Sequence, residues 1–304
     1  MTLLAFGTTF YNGTIILAFV KFKKLFTPFN VYILNLSTTD FLIAIIVMPG
    51  YILRTLNLPL HPSLCWAVLY TNDVIMVSQC QGMFLLSLSR LWSLVLPLSY
   101  KNLASPRVSA GICVSWWILW IVVLLPYRII DRSYSPKSEL ATCHSNYAAQ
   151  RAYATFIEFV GFDAPVFLAL GMNSFVFFKL VQRKMRKRNQ AGPFSTNAPT
   201  ISRHVTDTVT TSIDHSKPVS RPKSVSDDAK HVRLFGLLAV FVLVCYMPIF
   251  CYYILSDLID GFYYPTVRNA LTCVEFSACI LNPLIYHANL PELRNNLHKL
   301  FKRS

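Results

Sequence analysis

Seven apolar stretches, each about long enough to cross a lipid bilayer, constrain this chain more than any other feature of its sequence. They run Leu3–Val20, Val31–Leu53, Cys65–Leu96, Val108–Tyr127, Ala152–Val181, Val232–Ser256 and Thr266–Ala288. A helix needs about 20 apolar residues to span the hydrocarbon core, where only structures that satisfy their own backbone survive. Composition points the same way. Hydrophobic residues make up 54% and charged residues 14%, against about 25% charged in soluble domains, and mean hydropathy is +0.45. Such an excess implies lipid as the solvent. The expected fold is an all-α membrane protein: one seven-transmembrane helix bundle occupying residues 1–304.

The first stretch is short and begins almost at Met1, so a cleaved signal peptide competes for it. Its flanking charges, Lys21, Lys23 and Lys24, follow the apolar run instead of preceding it. The reading adopted is a first helix, with some residues before it expected to be missing. The connections are short except 190–228, rich in Ser, Thr, Pro and Asn. That composition cannot bury enough surface to offset its ordering entropy, so this segment is expected to be disordered. In 290–301, Leu290, Leu293, Leu297, Leu300 and Phe301 recur at helical spacing with Arg294, His298 and Lys299 opposite. The pattern predicts a short amphipathic helix on the membrane surface.

A net charge of +14 raises the question of nucleic acid. The basic residues lie in alternate connections, however, and no soluble basic domain remains once the apolar stretches are removed, so no nucleic-acid partner is expected. Of 28 Lys and Arg, only Arg54, Arg128, Arg132, Lys137, Arg151 and Arg268 fall on one side of the expected membrane. By the positive-inside rule that side is extracellular, and so is the N-terminus; the C-terminus is cytoplasmic. Six of the eight cysteines lie inside apolar runs, where Cys acts as a small hydrophobe; Cys65 and Cys143 lie at a helix end and in a loop. No Cys/His spacing suggests zinc. No hydrolytic or redox constellation appears, and the protein is read as a non-enzyme.

Polar residues within lipid are costly and demand a reason. Asn12, Asp40 and Asn282 lie near the middles of the first, second and seventh stretches. Asn35-Leu36-Ser37-Thr38-Thr39-Asp40 resembles the second-helix signature of rhodopsin-like (class A) G-protein-coupled receptors. Asn282-Pro283-Leu284-Ile285-Tyr286 matches their NPxxY motif, and Ser89-Arg90-Leu91 sits where DRY is expected. Cys65 precedes Arg90 at the family distance, Trp116 or Trp117 fits the fourth-helix Trp, and Pro165 the fifth-helix Pro. Cys245-Tyr246-Met247-Pro248 fits the sixth-helix CWxP. One such motif is weak, but ordered markers on every helix are strong.

The resemblance implies a switch and G-protein-coupling set of Arg90, Asp228, Pro248, Pro283 and Tyr286, with Arg90 and Asp228 bridging helices three and six. It implies a Cys65–Cys143 disulfide. It also implies a polar network of Asn12, Asp40 and Asn282, holding either sodium at Asp40 or water. Gln79, Ala278 and Cys279 depart from the family's small polar ligands there. Further departures are Ser89, Leu91, Asn173 and Tyr246, all on the switching path.

By carry-over, the ligand pocket includes Asn72, Asp73, Met76, Glu158, Tyr246, Ile249, Phe250, Tyr253, Thr272 and Phe276. Asn72 replaces the Asp that serves amine receptors, yet Asp73, Glu158 and Glu275 place acids in the outer half. A cationic amine or peptide is one expectation; the alternative is that these acids bond to neighbouring helices. Retinal is excluded by Phe276 at the Schiff-base Lys position, and no other cofactor is expected. Expected partners are a heterotrimeric G protein, an extracellular small molecule or peptide, membrane lipid, and arrestin through the long linker. The rival readings are a receptor-like scaffold that does not couple and a seven-helix transporter.

Overall fold

The computed structural model describes residues 1–56, 61–134, 143, 150–190, 236–259, 262 and 264–302. The expected disordered segment 190–228 falls, beyond Gln190, outside them. The described chain is a seven-helix bundle followed by one further helix. The spans are α1 (Thr2–Lys21), α2 (Pro28–Thr55), α3 (Pro62–Val95), α4 (Pro106–Tyr134), α5 (Arg151–Gln190), α6 (Gly236–Ser256) and α7 (Pro265–Asn289); α8 is Pro291–Lys302. The first six are long and apolar enough to cross a membrane. The seventh has 25 residues but is interrupted by Arg268, Glu275 and Asn282. Helices α4 and α5 run beyond the apolar stretches that announced them, because hydropathy marks only the part of a helix that lies in lipid.

Helix α3 is the axis of the bundle and touches α2, α4 and α5, while α1 pairs with α2 and α7, and α6 with α7. Burial follows position. The most apolar window of α3 is 72% buried and that of α4 only 22%. On α4, Val114, Ile118, Val122 and Ile129 face outward, as a helix at the lipid boundary requires. Trp117, on its inner side, donates from Nε1 to Oδ1 of Asn35 on α2 at 3.0 Å. Trp117, not Trp116, therefore ties α4 to α2.

Two proline breaks are repaired by side chains from neighbouring helices. Pro283 has no N–H for the carbonyl of Cys279, one turn back; Asn12 on α1 donates Nδ2 to that oxygen at 2.9 Å. Pro165 likewise releases Gly161, just after a π-helical turn over Glu158–Asp163. Gln81 on α3 donates to the carbonyls of Val160 at 3.2 Å and Gly161 at 3.4 Å. In a bilayer such freed groups have no water to turn to. In α6 the helix is interrupted at Tyr246, two residues before Pro248.

Gly161 also permits close packing. A Cβ there would stand 3.2 Å from Val77 and 3.3 Å from the Trp120 ring, so three helices meet where this residue has no side chain. The last helix, α8, buries Leu293 and Leu297 in the main core cluster and packs against α1 and α7. Its apolar stripe, read from the sequence as a membrane-facing surface, is thus partly used to dock on the bundle.

Candidate functional site

The centre of the bundle is a polar network around Asp40, which is fully buried. Gln79 on α3 donates Nε2 to Asp40 Oδ1 at 2.8 Å. Asn282 on α7 donates Nδ2 to Oδ2 at 3.0 Å. The same Gln79 nitrogen lies 3.2 Å from Sγ of Cys279. Asn12, expected in this cluster, does not bond to Asp40; its amide is turned to the carbonyls of Thr8 and Cys279. Its bond to the carbonyl that Pro283 frees has claimed it.

These residues do not fit a sodium ion. A hard cation is held by oxygen ligands, whereas both Asp40 oxygens here accept amide N–H groups. Beside them Ala278 offers no ligand, Cys279 a sulfur, and Gln79 its nitrogen.

Toward the Cys65 end lies a cavity of about 410 Å³. Of the residues expected to line it, Asn72, Asp73 and Met76 on α3, Glu158 on α5, and Phe250 and Tyr253 on α6 do so. Tyr246, Ile249, Thr272 and Phe276 are not in its wall. Tyr246 is completely buried beneath, stacked on Phe250 at 6.4 Å between ring centres. Ile249 is buried in the same region of α6. Phe276 instead packs with Ile43, Val47 and Ile75 and meets Tyr51 edge to face at 5.9 Å. Thr272 returns its hydroxyl to the carbonyl of Arg268 at 2.9 Å. Their helices turn these side chains into the packed interior.

Several lining residues escaped the sequence reading, among them Tyr127, Arg151, Phe162, Tyr252 and Arg268, while Glu275, read as an acid of the outer half, lines the cavity too. Arg151 and Arg268 had been counted only as charges near loops. One signal was available: Arg268 and Glu275 are seven residues apart, about two helical turns, and so share a face of α7.

Asp73 faces a partner as well as the cavity. The buried Arg128 of α4 donates Nε to Asp73 Oδ2 at 2.7 Å, with Nη2 on the same oxygen, while Nη1 reaches Asp131 Oδ2 at 3.1 Å. The Trp66 indole donates to the Arg128 carbonyl at 3.1 Å. Arg128, counted in the sequence as a loop charge, is a buried tie between α3 and α4. For Asp73 the alternative reading holds: this acid bonds to a neighbouring helix. Above it, Cys65 and Cys143 form a disulfide with Cα atoms 5.4 Å apart, and Cys143 adopts positive φ.

At the opposite end of α3, Arg90 places its guanidinium 3.0 Å from the centre of the Phe29 ring. Ser89, its neighbour in the chain, is buried, and Pro283 and Tyr286 are buried on α7. Asp228, the expected bridge partner of Arg90, lies outside the described residues. Pro248 occupies the break in α6 already described.

The model of the 7 transmembrane receptor (rhodopsin family) matches residues 11–286. Curated relatives include the 5-hydroxytryptamine receptor 1B of Cavia porcellus, 22% identical across 99% of this chain and 85% of its own length. Those of Didelphis virginiana and Mus musculus are each 21% identical, covering 99% of this chain and 84% and 86% of theirs.

Proposed function

This chain belongs to the rhodopsin family of seven-transmembrane receptors, and we propose that it binds a small cationic molecule in the 410 Å³ cavity and activates heterotrimeric G proteins. The cavity carries the proposal: a concave site walled by α3, α4, α5, α6 and α7, of the size drug-like ligands occupy, with carboxylates in its lining. Curated relatives are named for 5-hydroxytryptamine, a small amine. That supports the class of ligand rather than that ligand itself. In the proposed orientation the N-terminus and the cavity face outward, and α8 lies on the cytoplasmic side. There Arg183, Lys184, Arg186, Lys187 and Arg188 meet anionic lipid and the G protein. The linker after α5 is the proposed arrestin contact, and the Arg90–Asp228 bridge the proposed restraint on α6.

Ser89 and Leu91 beside Arg90 favour a second reading, a receptor-like scaffold that does not couple. A signalling screen across G-protein classes, with wild type and Arg90→Ala at equal surface expression, separates the two. Basal or amine-stimulated signal that disappears in the variant supports coupling. Silence of wild type in every class, with amine bound, leaves the scaffold.

A further inference from the structure

We infer that Glu275 on α7, rather than any acid of α3, is the carboxylate that holds the ligand's cationic group. The inference rests on the reading of the cavity as a ligand site. Asn72 has no charge to offer, and the adjacent Asp73 is held by Arg128 through two guanidinium nitrogens on one oxygen. A cation arriving at Asp73 would have to compete with a buried Arg already in place, which also grips Asp131.

Glu275 is in the opposite situation. It lines the cavity, is only 7% exposed, and makes no hydrogen bond or ion pair with any described residue. A carboxyl so placed is the costliest kind of polar group to leave unsatisfied. An ammonium or guanidinium ligand would satisfy it with a charge-assisted hydrogen bond. Phe162, Phe250 and Tyr253 in the same wall offer ring faces to which cations are attracted.

Charge and volume narrow the ligand. With all groups ionised, the carboxylates of Asp73, Glu158 and Glu275 outnumber the guanidiniums of Arg151 and Arg268 by one; Arg128 and Asp131 cancel. A ligand with a single positive charge makes the site neutral. About 410 Å³ admits a monoamine with a ring or short chain, not a folded peptide.

The test uses the purified full chain in lipid nanodiscs, so that binding is read without coupling. The probes are primary aromatic and aliphatic monoamines, each beside the alcohol that replaces its amino group by hydroxyl. Amines should raise the thermal midpoint and the matching alcohols should not. Glu275→Gln should weaken the best amine at least tenfold, and Glu275→Asp should recover part of the loss. Glu292→Gln, on α8 and outside the cavity wall, should keep the amine's effect. The inference is overturned if no amine stabilises the wild type, if Glu275→Gln binds as well as wild type, or if Asp73→Asn or Glu158→Gln abolishes binding while Glu275→Gln retains it. Retained amine binding without any G-protein response would instead overturn the coupling proposal alone.

Discussion

Gln79 holds its amide nitrogen 2.8 Å from Oδ1 of Asp40, so a side chain of α3 occupies the face of the carboxylate opposite Asn282. The acid at the centre of the bundle is satisfied by two neutral donors from two different helices.

That geometry makes the wild type indifferent to sodium: its thermal midpoint should be unchanged when sodium chloride replaces N-methylglucamine chloride at equal ionic strength. Gln79→Ser removes the donor, opens space and supplies a hydroxyl oxygen. Sodium should then raise the variant's midpoint by about 2–4 °C, the equivalent of about 1 kcal/mol of linked binding in a chain of this size. Equal midpoints for the variant in both salts would refute the assignment.

Arg128 is a buried cation shared by two carboxylates. Arg128→Ala strands both, and removing one member of a buried pair costs about 3–5 kcal/mol. Surface expression should collapse. Asp73→Asn leaves Arg128 with Asp131 and should cost less. Thermal unfolding of the two variants ranks them, and a loss in Asp73→Asn as large as in Arg128→Ala would show that the pair with Asp131 contributes nothing.

Cys65 and Cys143 close a loop of 78 residues. On the chain-entropy model such a crosslink restrains the unfolded chain by about 4.5 kcal/mol. Cys65→Ser should therefore lower the thermal midpoint sharply, and wild type treated with reductant should approach the same value. A midpoint within a degree of wild type would mean the loop end is held by other contacts.

Trp117→Phe keeps an aromatic side chain but removes the donor that reaches Asn35. Interhelical hydrogen bonds in membranes contribute about 0.6–2 kcal/mol, so a modest loss is expected. Trp116→Phe should leave that bond intact, and comparing midpoints of the pair checks the assignment. Equal losses in both would remove the special role of Trp117.

Much of this molecule was legible in its sequence because lipid imposes a coarse rule. Runs of apolar residues must be helices, and the few polar residues inside them must meet. Thus Asp40 and Asn282, on different helices, are found hydrogen-bonded as their depth suggested. What the sequence did not convey is rotation. Tyr246 and Phe250, one turn apart on α6, share a helical face, yet only Phe250 reaches the cavity. Phe276 and Glu275 are neighbours in sequence and face opposite surroundings. Nor did charge reveal its partner: Arg128 looked like one of several loop cations, and its burial depends on how α4 leans on α3. A hydropathy plot has no term for an ion pair that cancels within the protein.

Two of the broken turns, at Pro165 and Pro283, each end in a carbonyl latched by an amide from another helix: Gln81 for α5, Asn12 for α7. A latch of this kind is worth about 0.6–2 kcal/mol, roughly a threefold to thirtyfold bias between closed and open. A ligand shifts such an equilibrium by no more than its difference in affinity for the two states. The joints of this bundle are therefore held firmly enough to have a resting position, and loosely enough for one well-placed contact to change it.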